Sequence, residues 1–363
     1  MPAIGRVAAR AYTVPTDAPE ADGTMAWDST TIVVVEAEAG GEMGLGYTYS
    51  GAAAAAVILG PLAGAVSGQD AMDPPGANLA MRRAVRNLGQ GGIAATAISA
   101  VDVALWDLKA KLLGVPLALL LGRYRDAVPI YGSGGFTTYS DDRLREQLGR
   151  WVEQDGCRWV KMKVGTDPVR DPARVAAAKS AIGDAALFVD ANGAYGVKQA
   201  VALAEVFAAE ADVRWFEEPV SSDDLRGLRQ VRHRAPARME IAGGEYGYTL
   251  GYFRRMLGAD CVDVQQADAT RCGGVTGFLA AAVLCEGFET DLSAHCAPAL
   301  HLHVACAAAR LRHLEWFHDH VRIERMLFDG APTPVQGVIR PDLARSGIGL
   351  VFKRQDAERF AVH

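Results

Sequence analysis

From about residue 127 to residue 320, short apolar segments alternate with longer segments whose apolar residues recur at helical spacing. The apolar segments have the length of buried strands. A series in which each strand is followed by a helix predicts a parallel (β/α)8 barrel of the TIM type, which is an α/β fold. Eight candidate strands fit the pattern: 128–133, 158–164, 186–191, 213–218, 239–244, 261–266, 289–294 and 312–317.

The residues before the barrel have the pattern of an α+β unit. Residues 30–49 are typical of a strand, a Gly-Gly turn and a second strand. Residues 94–114 carry apolar side chains at helical spacing, and Gly114 is a suitable helix stop. The sequence therefore predicts an N-terminal α+β domain over 1–126, a barrel domain over 127–320 and a C-terminal segment over 321–363.

Composition and charge exclude several classes of partner. The chain of 363 residues carries a net charge of −6, which argues against a nucleic-acid or anionic-membrane partner. The apolar run 51–68 is interrupted by Gly60 and Pro61, so it predicts a helix and turn rather than a membrane span. The six cysteines form no CxxC pair, and the N-terminus has no apolar signal core. We therefore expect a cytoplasmic protein with reduced thiols and no membrane or nucleic-acid partner.

Polar residues accumulate at the carboxyl ends of the candidate strands. In a closed barrel these ends meet at one face, where active sites of this architecture lie. Residues spread over about 150 positions of the sequence would therefore share one pocket. They are Lys163, Asp190, Glu217, Glu245, Asp268, His295 and Glu315.

Asp190, Glu217 and Glu245 are carboxylates from three successive strands. Brought together without a partner, they would repel and at least one would be protonated. A hard divalent cation resolves the repulsion, and oxygen-only ligands favour Mg2+. Asn192 and Glu218 are close enough in sequence to support the metal or a substrate. The alternative is that these carboxylates are ordinary partners of arginines.

Two lysines of the stretch "RWVKMKVG", Lys161 and Lys163, lie two residues apart and so share one face of a strand. Burying two ammonium groups side by side is costly. We expect this arrangement, together with burial, to lower the pKa of Lys163 toward that of a usable base.

His295 follows the seventh strand and Asp268 the sixth. A carboxylate bonded to one imidazole nitrogen fixes the tautomer and raises the basicity of the other nitrogen, so the pair predicts a dyad. A histidine that bonds only a backbone carbonyl is the alternative. The remaining candidates, His301, His303, His318 and His320, are expected to be structural, the last two near the rim of the pocket.

These motifs, taken in order, resemble those of the enolase superfamily, and within it the mandelate racemase-like enzymes. The resemblance covers essentially the whole chain. It is carried by "AISAVDVALWDLKAKLLGVPLALLLG" before the barrel and by "KMK", "VDANGAY", "FEEP", "IAGGE", "DATRCGG", "AHCAP" and "LEW" within it.

The resemblance implies a role for each motif residue. Asp190, Glu217 and Glu245 would bind Mg2+. Lys163, with Lys161 beside it, and His295, oriented by Asp268, would be the acid/base catalysts on opposite faces of the substrate. Glu315 would hydrogen-bond the substrate carboxylate. The resemblance also implies a homo-oligomer.

The resemblance further implies that the first domain caps the barrel and that the C-terminal segment returns to this cap. The loop 14–29 and the turn 45–50 would then cover the pocket. Trp27 and Tyr47 in these segments, with Ser133 and Asn192 in the barrel, are the candidate substrate contacts. The cap loops match no member of assigned specificity, so the substrate is not implied.

The implied chemistry is removal of the proton α to the carboxylate of a small molecule, through an enediolate. Loss of a β-hydroxyl would make the enzyme an acid-sugar dehydratase, whereas return of a proton on the other face would make it a racemase or epimerase. The polar residues of the cap loop, Asp17, Glu20, Asp22, Thr24 and Asp28, favour a polyhydroxylated substrate and hence the dehydratase. A Schiff-base lysine enzyme and a non-catalytic metal-binding barrel are the remaining alternatives.

Overall fold

The computed structural model describes residues 1–362, and eight parallel strands close into a barrel within it. The first barrel strand pairs with the eighth, Ile130 with Leu314 and Ser133 with Phe317, which closes the sheet. The predicted (β/α)8 barrel is therefore confirmed. The barrel strands are β4 Val128–Gly134, β5 Trp159–Lys163, β6 Ala186–Asp190, β7 Val213–Glu217, β8 Glu240–Gly243, β9 Val264–Ala267, β10 Asp291–Ala294 and β11 Leu311–Phe317.

Helices surround the barrel, and two of them begin at a residue whose side chain caps the helix. The Ser140 side chain accepts a hydrogen bond from the Arg143 amide, and Asp224 does the same for the Gly227 amide. The barrel helices are α6 Asp141–Glu153, α7 Asp171–Ser180, α8 Val197–Ala211, α9 Leu225–Arg234, α10 Leu250–Gly258, α11 Gly274–Gly287, α12 Pro298–Cys306 and α13 His318–Leu327.

The N-terminal domain is a three-stranded antiparallel sheet with a long helix against it. The strands β1 Val7–Ala21, β2 Ala26–Ala39 and β3 Glu42–Tyr49 lie in this order. A Cβ at Gly44 would lie 2.0 Å from the Ala104 carbonyl oxygen, so glycine lets the helix α4 approach the sheet closely. The helices of this domain are α1 Ala53–Val57, a π-helical turn Ile58–Leu62, α2 Ala63–Val66, α3 Pro74–Ala84, α4 Ile93–Leu112 and α5 Leu117–Leu121.

Both predicted cap loops are wrong in detail, because they are parts of this sheet. Residues 14–29 form the end of the hairpin β1–β2, with only a tight turn between Ala21 and Ala26, where Asp22 Oδ1 accepts hydrogen bonds from the Thr24 and Met25 amides. Residues 45–49 are the end of β3. The resemblance implied a loop over 14–29, but β1 is an edge strand with a register shift between Pro15 and Glu20, where its prolines are tolerated.

The tip of the hairpin β1–β2 is seated on the barrel through main-chain atoms. The Thr137 amide donates to the Ala21 carbonyl over 2.9 Å. A Cβ at Gly23 would lie 2.5 Å from the Ala191 carbonyl oxygen and 2.6 Å from that of Val164. The tip therefore lies over the carboxyl ends of β5 and β6.

The C-terminal segment contacts both domains. Its short strands are β12 Phe328–Asp329, β13 Val338–Ile339 and β14 Val351–Phe352, followed by the helix α14 Arg354–Ala357 and a 3-10 turn Glu358–Phe360. The strand β13 pairs antiparallel with β4, and the Val362 amide donates to the Ala11 carbonyl in the first sheet. Among residues 1–362, no helix combines the length and apolar character that crossing a bilayer requires.

Candidate active site

The register of the barrel sets the site residues at one level. Lys163 is the lateral partner of Asp190, and Asp190 is the lateral partner of Glu217. Since side chains alternate between the two faces of a strand, partners in register share a face, here the barrel interior. Lys161 lies one step deeper on the same face and is fully buried. The convergence of strand-end residues is thus a direct result of the pairing.

The carboxylates of Asp190, Glu217 and Glu245 each offer an oxygen within 4.8 Å of the other two, and all three residues are buried. Burial, followed by the charge of Asp190, raises the pKa of Glu217 to about 8. A buried, all-oxygen cluster in which the neighbouring carboxylates raise the pKa of Glu217 has the donor chemistry and the electrostatics of a site for a hard divalent cation. The three residues fit Mg2+ in this respect.

Both lysines are paired with these carboxylates. Lys161 Nζ lies 2.7 Å from Glu217 Oε1 and 2.8 Å from Glu315 Oε1. Lys163 Nζ lies 2.6 Å from Asp190 Oδ2 and 3.0 Å from Asn192 Oδ1. Burial lowers the pKa of Lys163, but the neighbouring carboxylates, Asp190 above all, outweigh it and raise the pKa above its ordinary value. The expected lowering is therefore wrong for this arrangement, since carboxylate contacts dominate the repulsion from Lys161.

The predicted pair of His295 and Asp268 is in contact. His295 Nδ1 lies 2.9 Å from Asp268 Oδ2, and both side chains are buried. The other ring nitrogen, Nε2, lies 3.1 Å from Glu245 Oε2. Burial alone would lower the pKa of His295, but the net shift is upward because Cys296, Glu245 and Glu315 surround the ring. The dyad faces the carboxylate cluster from the side opposite Lys163 in strand order.

Glu315 lies between the dyad and Lys161. Its Oε1 accepts a hydrogen bond of 2.6 Å from Ser133 Oγ, and its Oε2 accepts one of 3.2 Å from the Cys296 amide. Burial raises the pKa of Glu315, but the positive charges of Lys161 and His295 lower it by more. The pKa of Glu315 therefore lies below its ordinary value. Ser133, a candidate substrate contact, is thus fully buried behind Glu315.

Two other candidate substrate contacts lie in the cap. Tyr47 is fully buried, and its hydroxyl donates to Glu324 Oε1 over 2.5 Å, so this hydroxyl is already bonded to a carboxylate outside the cluster. That prediction treated 45–50 as a turn, whereas β3 continues through it. Trp27 is half-buried, and its Nε1 donates to Glu20 Oε2 over 2.8 Å within the hairpin.

Three of the four other histidines named above, His301, His303 and His320, accept hydrogen bonds from main-chain amides. His301 Nε2 accepts from the Ala269 amide, and His303 Nδ1 accepts from the Ala118 amide. His320 Nδ1 accepts from the Ala297 amide. His318 Nε2 lies 3.1 Å from Asp17 Oδ2 in the hairpin β1–β2.

Two residues of the site were not predicted. Arg271 Nη1 lies 3.3 Å from Glu245 Oε1, and Arg271 Nε lies 3.6 Å from Asp268 Oδ2. Cys296 Sγ lies 3.2 Å from His295 Nε2. Arg271 lies in the motif "DATRCGG" beside Asp268, and Cys296 lies in "AHCAP" beside His295. Their place in these motifs was the sequence signal that could have identified them as site residues.

Comparisons with known proteins agree with this geometry. The sequence model of the protein family "Mandelate racemase / muconate lactonizing enzyme, N-terminal domain" matches residues 7–122. The sequence model of the family "Enolase C-terminal domain-like" matches residues 143–357. The chain is 33% identical to the 3,6-anhydro-alpha-L-galactonate cycloisomerase of Streptomyces coelicolor, over 97% of this chain and 98% of the relative. It is 32% identical to the L-talarate/galactarate dehydratase of Salmonella typhimurium, over 79% of this chain and 73% of the relative.

Solved structures are similar along the entire chain. A mandelate racemase/muconate lactonizing enzyme-like protein from Rubrobacter xylanophilus is 52% identical, with a TM-score of 0.97, covering 99% of this chain and 100% of that one. A racemase from Streptomyces coelicolor with bound magnesium is 32% identical, with a TM-score of 0.92, again covering 99% and 100%.

Proposed function

The chain belongs to the mandelate racemase and muconate lactonizing enzyme family of the enolase superfamily, and from that premise we propose that it removes the proton α to the carboxylate of an acid sugar in a Mg2+-dependent reaction. The observation that carries this proposal is the buried carboxylate cluster with a lysine on one side and a carboxylate-bound histidine on the other.

Asp190, Glu217 and Glu245 are the residues that would hold Mg2+. When bound, the ion stabilises the negative charge that builds on the carboxylate oxygens of the substrate as the α-proton leaves. Asn192 and Glu218 border the cluster, and Glu218 Oε1 is buried without a hydrogen-bond partner, so it is available to a bound group.

Lys163 and His295 are the proposed acid/base residues. Lys163 Nζ lies 2.6 Å from Asp190 Oδ2 in the cluster. If Asp190 bound Mg2+ instead, the main cause of the raised pKa of Lys163 would be removed. Asp268 holds Nδ1 of His295, which leaves Nε2 to accept or return a proton. The two residues can then act on opposite faces of one α-carbon.

Glu315 is proposed to hydrogen-bond the substrate carboxylate. Two carboxylates share such a bond only with a proton between them, and the pKa of Glu315 lies below its ordinary range when it is paired with Lys161. The approach of a second negative charge raises the pKa of a carboxyl group. Glu315 would therefore become protonated when the substrate carboxylate binds beside it.

For the step that follows proton removal, we propose elimination of the β-oxygen, which gives a 2-keto-3-deoxy acid. Loss of that oxygen as water is dehydration, the reaction named for the L-talarate/galactarate and D-gluconate relatives. A second candidate reaction is cycloisomerisation, which is favoured by two cycloisomerase relatives at 33% and 34% identity. In a 3,6-anhydro acid the β-oxygen is part of a ring, so the same elimination opens the ring without releasing water.

A panel of acid sugars that includes aldonates, aldarates, a lactone and an anhydro acid, incubated in D2O with Mg2+, tests the proposal by NMR. A keto acid with loss of water supports dehydration, and a keto acid of unchanged formula supports ring opening. Deuterium at the α-carbon with inversion would replace both with epimerisation.

The metal requirement is tested separately. Asp190→Asn should weaken Mg2+ binding and abolish turnover, whereas Asp184→Asn, an exposed aspartate at the opposite end of the barrel, should leave both unchanged. Full activity in a chelator would contradict the proposed role of Mg2+. Borohydride trapping of a carbonyl substrate on Lys163 would favour the Schiff-base alternative instead.

A further inference from the structure

Three different donor atoms meet beside the carboxylate cluster. Cys296 Sγ lies 3.2 Å from His295 Nε2 and 3.4 Å from Glu315 Oε2, and His295 Nε2 lies 3.6 Å from the same Glu315 oxygen. All three side chains are at least nine-tenths buried. A nitrogen, a sulfur and an oxygen therefore form a triangle with sides of 3.2, 3.4 and 3.6 Å.

The size of this triangle suits a tetrahedral metal ion. Zinc binds nitrogen and oxygen at about 2.0–2.2 Å and sulfur at about 2.3 Å, so tetrahedral ligands are about 3.4–3.6 Å apart. The observed separations of 3.2, 3.4 and 3.6 Å lie close to these values. The contact of Asp268 with the other nitrogen of His295, at 2.9 Å, is the carboxylate–histidine arrangement found behind zinc ligands.

The backbone conformation also places the Cys296 thiol beside His295 and Glu315. Cys296 has a φ of 53° and Ala297 a φ of 39°, two consecutive non-glycine residues in the left-handed region. Such a conformation is costly and tends to occur where a site requires it. The Cys296 amide donates to Glu315 in this turn, which fixes the cysteine to the carboxylate.

We propose that His295, Cys296 and Glu315 form a second metal site, which binds thiophilic divalent cations such as Zn2+ or Cd2+ and inhibits the enzyme when occupied. The soft sulfur donor separates it from the all-oxygen cluster, which favours Mg2+. On binding, the thiol releases its proton to solvent and the metal–sulfur bond forms, with no change of oxidation state. The ion takes the Nε2 lone pair of His295, so this histidine can no longer exchange a proton with substrate. The inhibition rests on the proposed function, whereas the binding does not.

The binding is tested by titrating the protein, in excess Mg2+, with Cd2+ and recording the ultraviolet absorption of the cadmium–thiolate bond. One Cd2+ per chain is expected in the wild type and none in Cys296→Ser. Asp190→Asn should keep the band, since Asp190 supplies no ligand atom to this second site. Absence of the band in the wild type, or an unchanged band in Cys296→Ser, would overturn the proposal.

A second variant covers the case in which Cys296→Ser fails to fold. Asp268→Asn keeps the thiol but loses the outer partner of His295, and Cd2+ affinity should fall by about 10- to 100-fold. Unchanged affinity would argue against His295 as a ligand. In turnover assays, raising the substrate concentration should relieve Cd2+ inhibition and raising Mg2+ should not. A band without inhibition would overturn only the inhibitory part, and a band in a protein that acts on no acid sugar would overturn the proposed function alone.

Discussion

A methyl group at position 23 should lift the cap hairpin from the barrel. The Cβ of an alanine there would lie 2.5 Å from the Ala191 carbonyl oxygen, 2.6 Å from the Val164 carbonyl oxygen and 2.9 Å from Ala194 Cβ. Two of these atoms belong to the main chain at the ends of barrel strands, so no change of rotamer relieves the contact. Gly23 itself is not in the left-handed region, so alanine can adopt its backbone conformation.

The expected magnitude follows from this contact. Overpacking by one methyl group costs about 1–3 kcal/mol. Because the hairpin can withdraw, this cost falls on the seated form rather than on the whole fold. At about 1.4 kcal/mol for each factor of ten, the seated form becomes about 5- to 140-fold less populated relative to the withdrawn form. If substrate is turned over only under a seated hairpin, kcat/KM should fall by up to that factor.

Two measurements check this expectation in Gly23→Ala. Steady-state kinetics give kcat/KM, and hydrogen exchange at the Thr137 amide, which donates to the Ala21 carbonyl, reports seating without any substrate. Gly51→Ala is the matched control, because a Cβ at this exposed glycine of the same domain has no atom within 4 Å. A wild-type exchange rate at Thr137 in Gly23→Ala would refute the steric argument, because the hairpin would still be seated. Faster exchange with a wild-type kcat/KM would show that the seated hairpin has no part in turnover.

Lys163→Ala should abolish turnover, while Lys161→Ala should weaken it and shift its pH profile; indifference to both changes would leave the two lysines without a catalytic role. Asp268→Asn removes the 2.9 Å partner of His295 and should reduce kcat by roughly 100-fold or more, with CD spectra as the control for folding, and a change of less than twofold would refute the dyad. Burial and then the charge of Asp319 raise the pKa of Glu20 to about 8 from 4.5. The stability that its proton provides is complete below pH 4.5 and is lost as the pH rises to about 8, by a few kcal/mol at about 1.4 kcal/mol per pH unit. The free energy of unfolding of Glu20→Gln, measured with denaturant, should therefore increase relative to that of the wild type between pH 5 and pH 9. A difference between the two proteins that stays constant over this range would show that Glu20 keeps an ordinary pKa.

The barrel and much of the site could be predicted because both depend on local pattern. Strands of a parallel sheet covered on both faces are short apolar runs, so their carboxyl ends were visible in the sequence as the first polar residues. The order of the strands then placed Asp190, Glu217 and Glu245 together. That inference needed the closure of the barrel but no knowledge of side-chain conformation.

The cap and the electrostatics could not be predicted in the same way. The strand β1 contains prolines and acidic residues, and only its pairing with β2 makes it a strand. The direction of Tyr47 depended on where β3 ended. The pKa of Lys163 depended on whether its closest charge was an ammonium or a carboxylate, and the 2.6 Å contact with Asp190 decided this against the expectation from "KMK".

The seating of the hairpin tip by main-chain atoms has a consequence for how this enzyme can evolve. The carbonyl groups of Ala21, Val164 and Ala191 make the same contacts whatever side chains the rest of the hairpin carries. Side chains along β1 and β2 can therefore be exchanged while these main-chain contacts persist, as long as Gly23 stays. Mutation can then explore new substrates through the cap while the proposed acid/base residues, at the carboxyl ends of barrel strands, are left unchanged.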